Sequence, residues 1–407
     1  MSEPFRAFSG FGIEIEYMIV RRDDLGVAAI ADKVLEEAEG ELTNETEQGA
    51  LAWSNELALH VLELKTNGPA ADLARAAAEF QSAVVRINGM LEKHGAALLP
   101  GAVHPWMNPD TDTKLWPHGD DVIYRAYDRI FGCKGHGWSN LQSMHVNLPF
   151  ADESEFVPLH AAVRAVLPLL PAMAASSPFL DGADTGFADA RLDTYARNQA
   201  RIPSITGQIV PEPVESEADY AHKVLEPMYR DIAPHDPDGL LRFEWLNSRG
   251  AITRFDRNAI EIRLLDTQER PAADLAIAAL VTRVVERLYR DPARVTAANA
   301  IDTPVLAALL RRCIVDAERT VIDERAVLDL FGVEERRMPA GELWQRLAAR
   351  EDLSAHREPL DHIFARGPLA TRLRQAVNTV DRTRLELVYR TLRDCLAEGR
   401  AFDPSGT

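Results

Sequence analysis

Cysteine is scarce in this chain. The 407 residues include three cysteines, Cys133, Cys313 and Cys395, which lie far apart and form no Cys-x-x-Cys pair. This spacing argues against a disulfide framework or a zinc knot and is typical of a reducing compartment. The N-terminal segment has no basic stretch followed by an apolar run. We therefore expect no signal peptide and a cytoplasmic protein.

Long apolar runs and a basic surface are also lacking. The longest apolar stretches, such as residues 276–281, are far shorter than the ~20 residues that cross a bilayer. Lysine and arginine total 45 against 63 aspartates and glutamates, a formal net charge of −18. An acidic surface repels nucleic-acid phosphates and anionic lipid. We therefore expect neither nucleic acid nor a membrane as partner, while a homo-oligomer stays open.

Common nucleotide-binding and hydrolase motifs are absent as well. No GxxxxGKS or GxxxxGKT phosphate loop occurs, and there is no GxSxG or HExxH motif. The glycines at 132, 135 and 137 precede a predicted strand and do not open a helix, so they do not indicate a Rossmann fold. We interpret that segment as a mobile loop. Any nucleotide must therefore be bound in another way.

The hydrophobic pattern changes at about residue 270. Four segments have the period-two alternation of half-buried strands, namely 11–20, 56–66, 142–148 and 259–266. Helices are predicted over 28–40, 70–95 and 156–176, and irregular structure over 100–140 and 177–215. Beyond Pro271 the pattern is helical. We predict an α+β core over 1–270 with a helical part over 271–407 packed on it, or one domain over 1–407.

Each predicted strand carries two polar residues at positions i and i+2. The pairs are Glu14 and Glu16, Glu63 and Lys65, His145 and Asn147, and Glu261 and Arg263. Residues two apart project from the same side of a strand, so one sheet containing all four strands would have an apolar back and a polar front. For a single pair, a solvated sheet face is the simpler explanation. Together the carboxylates would repel one another unless cations neutralised them.

The residue types on this face indicate which cations. Oxygen-rich clusters with one imidazole suit Mg²⁺ or Mn²⁺ better than zinc, and Mg²⁺ usually accompanies nucleotide phosphates. Several arginines, among them Arg191, Arg249 and Arg263, lie in or beside the polar segments. Arginine captures carboxylate and phosphate in a bidentate manner. At least half of these arginines are nonetheless expected to be solvated surface residues.

Five segments resemble the carboxylate–amine ligase branch of the bacterial and plant-type glutamate–cysteine ligases. They are FGIEIEY at 11–17, ELALHVLELKT at 56–66, MHVNL at 144–148, SSPFLDGADTGFADAR at 176–191 and SRG…AIEIRLLD at 248–266. The resemblance covers about the first 270 residues. It implies a glutamine synthetase-like fold, shared with guanidino kinases, in which helices back an antiparallel sheet with a polar catalytic face. It also implies that ATP phosphorylates a carboxylate and that an amine then attacks the acyl phosphate.

The resemblance implies roles for individual residues. The metal ligands would be Glu16, Glu56 and Glu63 for one ion and Glu14, His145 and Glu261 for another. The catalytic residues would be Arg249, Arg263 and Glu261, with Arg249, Arg263, Lys65 and Asn147 at ATP and Arg191, Glu56 and Thr66 at the substrates. Glu56 and Glu63 are seven apart and would face opposite sides of a regular strand. Both can reach one metal only if Glu56 precedes the strand or a bulge intervenes.

Departures from the family pattern concern the substrates. The family's histidine strand reads HVH, whereas this chain has His145-Val146-Asn147, so a second imidazole is missing. We expect glutamate or a similar small-molecule acid as one substrate and cysteine or another amino compound as the amine. Three alternatives stay open. They are phosphorylation of a guanidine, a non-catalytic ligand-binding relative, and a metal-dependent amide hydrolase.

Overall fold

The centre of the molecule is an eight-stranded antiparallel sheet. The computed structural model describes residues 4–119 and 121–406. The sheet contains β1 (Gly12–Arg21), β2 (Glu45–Gln48), β3 (Leu51–Asn55), β4 (Val61–Thr66), β5 (Ala96–Leu99), β6 (Ser143–Pro149), β9 (Ala251–Arg254) and β10 (Ala259–Asp266). Their order is β2-β3-β4-β1-β6-β10-β9, and β5 pairs with the far end of β1. Two small two-stranded sheets pair β7 (Phe179–Leu180) with β8 (Ala183–Asp184) and β11 (Val321–Ile322) with β12 (Met338–Pro339).

Helices surround the sheet and dominate the C-terminal part. They are α1 (Ala31–Glu39), α2 (Leu73–Glu92), α3 (Pro109–Asp112), α4 (Asp121–Phe131), α5 (His136–Ser139), α6 (Glu153–Val166), α7 (Pro171–Ala174), α8 (Ala190–Tyr195), α9 (Glu217–Tyr220), α10 (Glu226–Ile232), α11 (Pro271–Tyr289), α12 (Pro292–Asn299), α13 (Thr303–Asp316), α14 (Arg325–Leu330), α15 (Ala340–Ala348), α16 (Arg357–Arg366), α17 (Leu369–Val377) and α18 (Arg382–Glu398). Among the described residues, none of these helices is both long and apolar enough to span a membrane.

Local sequence signals set the ends of the first two helices. Helix α1 ends at Gly40, whose φ of +94° is in the left-handed region that favours glycine. Helix α2 begins after Asp72, whose carboxylate accepts hydrogen bonds from the backbone N–H groups of Ala74 and Arg75. Helix α2 packs on the apolar back of the sheet, since its Phe80 and Ile87 belong to the same buried cluster as Ile15 of β1.

The back of the sheet and the C-terminal helices share one core. Side chains of β1 and β10 such as Ile15 and Ile262 belong to the same buried cluster as Phe80 of α2, Leu280 of α11 and Leu347 of α15. A single cluster therefore includes residues on both sides of position 270. The division into 1–270 and 271–407 stays a prediction.

Two predicted segments differ from the structure, and four strands of the sheet were not predicted. Residues 56–66 are not one strand, because β3 ends at Asn55 and β4 begins at Val61. The segment 100–140 is not irregular throughout, since it contains α4 and the short helix α5. The strands β2, β3, β5 and β9 were not predicted, although they complete the sheet on both sides.

A buried histidine makes stability depend on pH. His160 of α6 is buried between Phe156 and Tyr220, and neither ring nitrogen has a hydrogen-bond partner among the described residues. Burial, with Arg164 next, lowers its pKa from 6.5 to about 3. Below pH 6.5 the unfolded chain binds a proton that the folded chain does not bind. This residue therefore lowers stability as pH falls, by about 1.4 kcal/mol per pH unit.

We expect the His160→Phe variant to lack this contribution. Between pH 6.5 and 5, its free energy of unfolding should fall by about 2 kcal/mol less than that of the wild-type protein. Urea titrations followed by circular dichroism at the two pH values measure the difference. Other buried groups titrate equally in both proteins, so they cancel. An identical pH dependence in both proteins would contradict the prediction.

Candidate active site

The register of the sheet brings the four polar pairs together. Strands β4, β1, β6 and β10 are adjacent, and their polar residues stand opposite one another. The cross-strand partners are Glu14 with Lys65 and His145, Glu16 with Glu63, and Asn147 with Gly12 and Glu261. A register shift follows Ile262, so Arg263 lies at an irregularity in β10. The predicted polar front is thus one continuous surface.

The opposite face of the same strands is apolar. Its side chains are at most 1% exposed and comprise Ile13, Ile15, Tyr17, Leu62, Leu64, Met144, Val146, Leu148, Ile260, Ile262 and Leu264. Their burial fixes the register, because a slip by one residue would turn this whole set toward the polar side. The hydrophobic back therefore determines where the charged groups of the front lie.

His145 is the centre of the hydrogen-bond network. Its Nδ1 lies 3.0 Å from Glu14 Oε2 and 3.4 Å from Glu261 Oε1. Its Nε2 lies 2.8 Å from the Ser143 hydroxyl oxygen. Arg263 Nε donates to Glu261 Oε1 over 2.6 Å. Glu14, His145, Glu261 and Arg263 therefore form one chain of alternating charge across three strands.

Two groups of side chains present ligand atoms that lie within 4.8 Å of one another. They are Glu16, Glu56 and Glu63 in one group, and Glu14, Glu63 and His145 in the other. Glu56 lies just after β3, and hence before the strand that carries Glu63. This is one of the two arrangements that allow Glu56 and Glu63 to reach the same ion.

The acidic residues influence one another's protonation. Burial, with Glu14 next, raises the pKa of Glu63 to about 7. Burial and the charges of Glu63 and Glu16 raise the pKa of Glu56 well above its usual value. Burial opposes ionisation of Glu14, but the hydrogen bond and charge of His145 lower its pKa to about 2. Burial and neighbouring carboxylates thus oppose the ionisation of Glu56 and Glu63, whereas His145 favours that of Glu14.

Two cavities lie over the polar face and share Glu14, Lys65 and Arg257. The larger, of about 770 Å³, is lined by the ends of β1, β4 and β6 and by the loop 67–69. The smaller, of about 390 Å³, contains the carboxylate cluster. Because three residues belong to both, the cavities form a single groove that is less charged at one end and highly charged at the other.

The predicted residues outside the carboxylate cluster fall into the two cavities with one exception. Lys65 lines both, Asn147 and Thr66 line the larger, and Arg191 lines the smaller. Arg191 is buried, with its Nε 2.5 Å from Asp266 Oδ1. Lys65 Nζ lies 2.6 Å from Glu45 Oε2.

Arg249 is the exception. Its Nε and Nη2 donate to the two carboxylate oxygens of Glu212 over 2.6 and 2.8 Å. Its Nη1 donates to the backbone carbonyls of Ser204 and Ile205. The side chain is buried, and neither cavity includes it among its lining residues. The structure therefore does not bring Arg249 to the polar face, and its contacts tie two loops together.

An aromatic wall that the sequence pattern did not reveal lines the same cavity as the carboxylates. Tyr124 and Tyr127 of α4, Trp138 of α5, and Trp245 line the smaller cavity. The ring of Tyr127 lies 5.1 Å from that of Trp138 and 6.1 Å from that of Trp245. Two further arginines, Arg254 and Arg257, also line this cavity. The helical spacing of residues 123, 126, 127 and 130 is the signal that could have located α4.

Comparisons with known proteins agree with the resemblance found in the sequence. The model of glutamate–cysteine ligase family 2 matches residues 10–391. An uncharacterized protein of Archaeoglobus fulgidus is 35% identical over 274 residues, which are 67% of this chain and 73% of that protein. A candidate glutamate–cysteine ligase 2 of Cupriavidus metallidurans is 32% identical over 48% of this chain and 50% of its own length.

The fold has a solved counterpart. The glutamate–cysteine ligase of Francisella tularensis, solved in complex with AMP, superposes with a TM-score of 0.55 at 12% identity, covering 98% of this chain and 91% of that one. This likeness confirms the predicted fold, an antiparallel sheet with a polar face and helices behind it. The chain belongs to glutamate–cysteine ligase family 2, a family of ATP-dependent carboxylate–amine ligases.

Proposed function

We propose that this chain joins a small carboxylic acid, glutamate or a close analogue, to an amine, at the expense of ATP and with Mg²⁺ or Mn²⁺. The observation that supports this most directly is the row of acidic, imidazole and guanidinium groups across four adjacent strands. Phosphoryl transfer depends on positioning and on compensating the charge of the transferring group. The acidic and imidazole groups of this row would bind divalent cations, and the row itself contains an arginine beside them.

The carboxylates suit two divalent cations. Glu16, Glu56 and Glu63 would hold one, and Glu14 and His145 the other with Glu261 beside them. Oxygen ligands with a single imidazole are the donor set of Mg²⁺ or Mn²⁺. Burial first, and then the charges of neighbouring carboxylates, raise the pKa values of Glu56 and Glu63, and bound cations would favour their ionised forms. Such ions, when bound, stabilise the negative charge of ATP phosphates.

In this proposal the nucleotide and the other substrates occupy different ends of the groove. The larger cavity, of about 770 Å³ and with Asn147, Thr66 and Lys65 in its lining, has room for the adenosine part of ATP. The phosphates would then extend toward Arg263 and Arg257 in the smaller cavity. Glu261, which accepts a hydrogen bond from Arg263 Nε, orients this guanidinium.

The acid and the amine would occupy the smaller cavity. Arg191 and Glu56 both line this cavity, as do Tyr124 and Trp138. In this proposal Arg191 binds a substrate carboxylate and Glu56 contacts the amine. Aromatic rings exclude water, and exclusion of water protects an acyl phosphate from hydrolysis before the amine attacks. The proposed order is therefore activation of the acid first and attack by the amine second.

A coupled assay tests this function. The protein is incubated with ATP, Mg²⁺, glutamate and a panel of amino compounds, and ADP, phosphate and the amide product are measured by mass spectrometry. We expect ADP release that depends on both an acid and an amine, and none when EDTA removes the metal. Amide cleavage without ATP would indicate the hydrolase instead. ADP formed together with a phosphorylated guanidine would indicate the kinase.

A further inference from the structure

Arg191 is held against β10 by two hydrogen bonds. Its Nε lies 2.5 Å from Oδ1 of Asp266, the last residue of that strand, and its Nη2 donates to the backbone carbonyl of Arg263 over 3.2 Å. Asp266 is fully buried. These bonds occupy the Nε side of the guanidinium. Because the guanidinium is planar and rigid, they also fix the direction of its Nη1 end.

The Nη1 end of Arg191 is open toward the smaller cavity. Nη1 makes no hydrogen bond with any residue that the structure describes, and it is not one of the enclosed polar atoms that lack a partner. The side chain lines the smaller cavity. A ligand in that cavity can therefore reach this nitrogen.

Three other buried arginines differ from Arg191 in this respect. Arg164, Arg249 and Arg372 each use Nε, Nη1 and Nη2 in hydrogen bonds to oxygen atoms of the protein. None of the three lines either cavity. These arginines are fully bonded within the fold, whereas Arg191 keeps N–H groups for a further acceptor, and a guanidinium edge fits a carboxylate.

The carboxylate that holds Arg191 is itself locked in place. Oδ2 of Asp266 accepts hydrogen bonds from the backbone N–H of Ser176 and from the hydroxyl of Ser177, each over 2.8 Å. The Ser177 hydroxyl oxygen in turn accepts a hydrogen bond from the backbone N–H of Arg191 over 3.1 Å. One network therefore fixes both the backbone and the side chain of Arg191, and a buried network with its bonds made is rigid.

We infer that Asp266 is a positioning residue: together with Ser177, it fixes Arg191 so that the open end of the guanidinium faces the carboxylate of the acid substrate. This inference rests on the proposed ligase function, and it adds two residues to which the resemblance gives no role. Neither residue lines a cavity, so both act through Arg191 and not by contact with the substrate. Holding a binding group in its bound orientation before the ligand arrives strengthens binding.

The test measures the acid and ATP separately. Asp266→Asn keeps the shape of the side chain and removes its charge. We expect it to raise KM for glutamate about 10- to 100-fold, the factor for a hydrogen bond to a charged group, with kcat and KM for ATP unchanged. Ser177→Ala leaves the ion pair in place and should raise KM for glutamate about 2- to 10-fold.

Glu269→Gln is the matched control. Glu269 and Arg372 form an ion pair that is as buried as that of Asp266 and Arg191, but it lies outside both cavities. Glu269→Gln should lower the melting temperature and leave KM for glutamate at the wild-type value. A structural role of Asp266 would give the same result for Asp266→Asn.

A double-mutant cycle shows whether Asp266 acts through Arg191. Arg191→Met removes the guanidinium and keeps an unbranched side chain. In that background Asp266→Asn has no guanidinium to release, so we expect no further rise in KM for glutamate. Additive effects of the two substitutions on KM would mean that Asp266 acts by another route, and they would overturn the inference.

Other results would also overturn it. One is an unchanged KM for glutamate in both Asp266→Asn and Ser177→Ala, with only a lower melting temperature. Should Asp266→Asn not fold, Ser177→Ala decides by the same criterion. Glutamate binding measured by calorimetry separates the inference from the proposed function. A wild-type protein that forms no ADP but binds glutamate more tightly than Asp266→Asn would contradict the ligase function alone. Equal binding by these two proteins, or no binding by the wild-type protein, would contradict the inference.

Discussion

Replacing Arg263 with alanine is expected to abolish ADP formation while the fold stays intact. The side chain projects from the polar front of β10, whereas the apolar side chains that hold the strand in the core lie on the other face. An arginine that stabilises a transferring phosphoryl group contributes roughly 10³- to 10⁵-fold to the rate. Loss of Arg263 also removes a positive charge that lies 2.6 Å from Glu261. Both effects act against binding and transfer of phosphate.

Glu261→Ala should have an effect of the same kind. Glu261 lies between His145 and Arg263, so its removal frees the guanidinium and takes a carboxylate from beside the histidine. Steady-state ADP formation measures activity, and circular dichroism measures folding. Arg197→Ala is the control, because Arg197 is exposed and outside both cavities. Its ion-pair partner among the described residues is Asp193, one helical turn before it.

The two possible failures have different meanings. If either variant of β10 keeps near-normal turnover, the polar face is not the catalytic surface. If Glu261→Ala unfolds, the carboxylate serves the structure of the sheet instead. The control must retain wild-type activity in both cases, since otherwise a general loss of positive charge near the site would explain the result.

The polar face could be predicted because it depends on local pattern. Alternation with a period of two is visible in segments such as residues 12–17 and 259–264, and it assigns each side chain to a face without knowledge of the partner strand. The order of the strands could not be read in this way. The strand order depends on how the apolar faces of the strands pack against α2, α6 and α11. This packing is set by the whole chain and not by any one segment.

The missed strands are short and lack the alternation that reveals a strand. All four residues of β5 (AALL) are buried, as are four of the five residues of β3. An apolar run of this length is equally compatible with a buried helix turn. The sequence pattern also did not reveal the short turn between β3 and β4. This turn allows Glu56 to approach Glu63.

The position of Arg249 in a family motif did not predict what its side chain contacts. It lies in the SRG segment, beside residues that do reach the groove, but its guanidinium is held by Glu212, 37 positions earlier. No periodicity relates two loop residues at that separation. The aromatic wall is a similar case, since Tyr127, Trp138 and Trp245 come from three separate segments and meet only in the folded chain.

Glu269→Ala is expected to destabilise the protein by about 3–5 kcal/mol, because it leaves a buried guanidinium without its counter-charge. Glu269 follows β10, and its two carboxylate oxygens accept hydrogen bonds from Nη1 and Nη2 of Arg372 over 2.7 and 3.0 Å. Both side chains are at most 1% exposed. Arg372 also donates to the backbone carbonyls of Gly367 and Phe402. This pair joins the segment that follows β10 to the C-terminal helix α17.

Urea unfolding followed by circular dichroism measures the loss. The double variant Glu269→Leu with Arg372→Met is the matched control, since replacing both members of a buried ion pair by apolar groups costs far less than removing one. A loss for Glu269→Ala below about 1 kcal/mol would show that water reaches Arg372 in the variant.

We expect a single transition in every protein, because one hydrophobic core includes residues before and after position 270. Two transitions in the wild-type protein would establish 271–407 as a separate domain, and the pair would then be an interdomain contact.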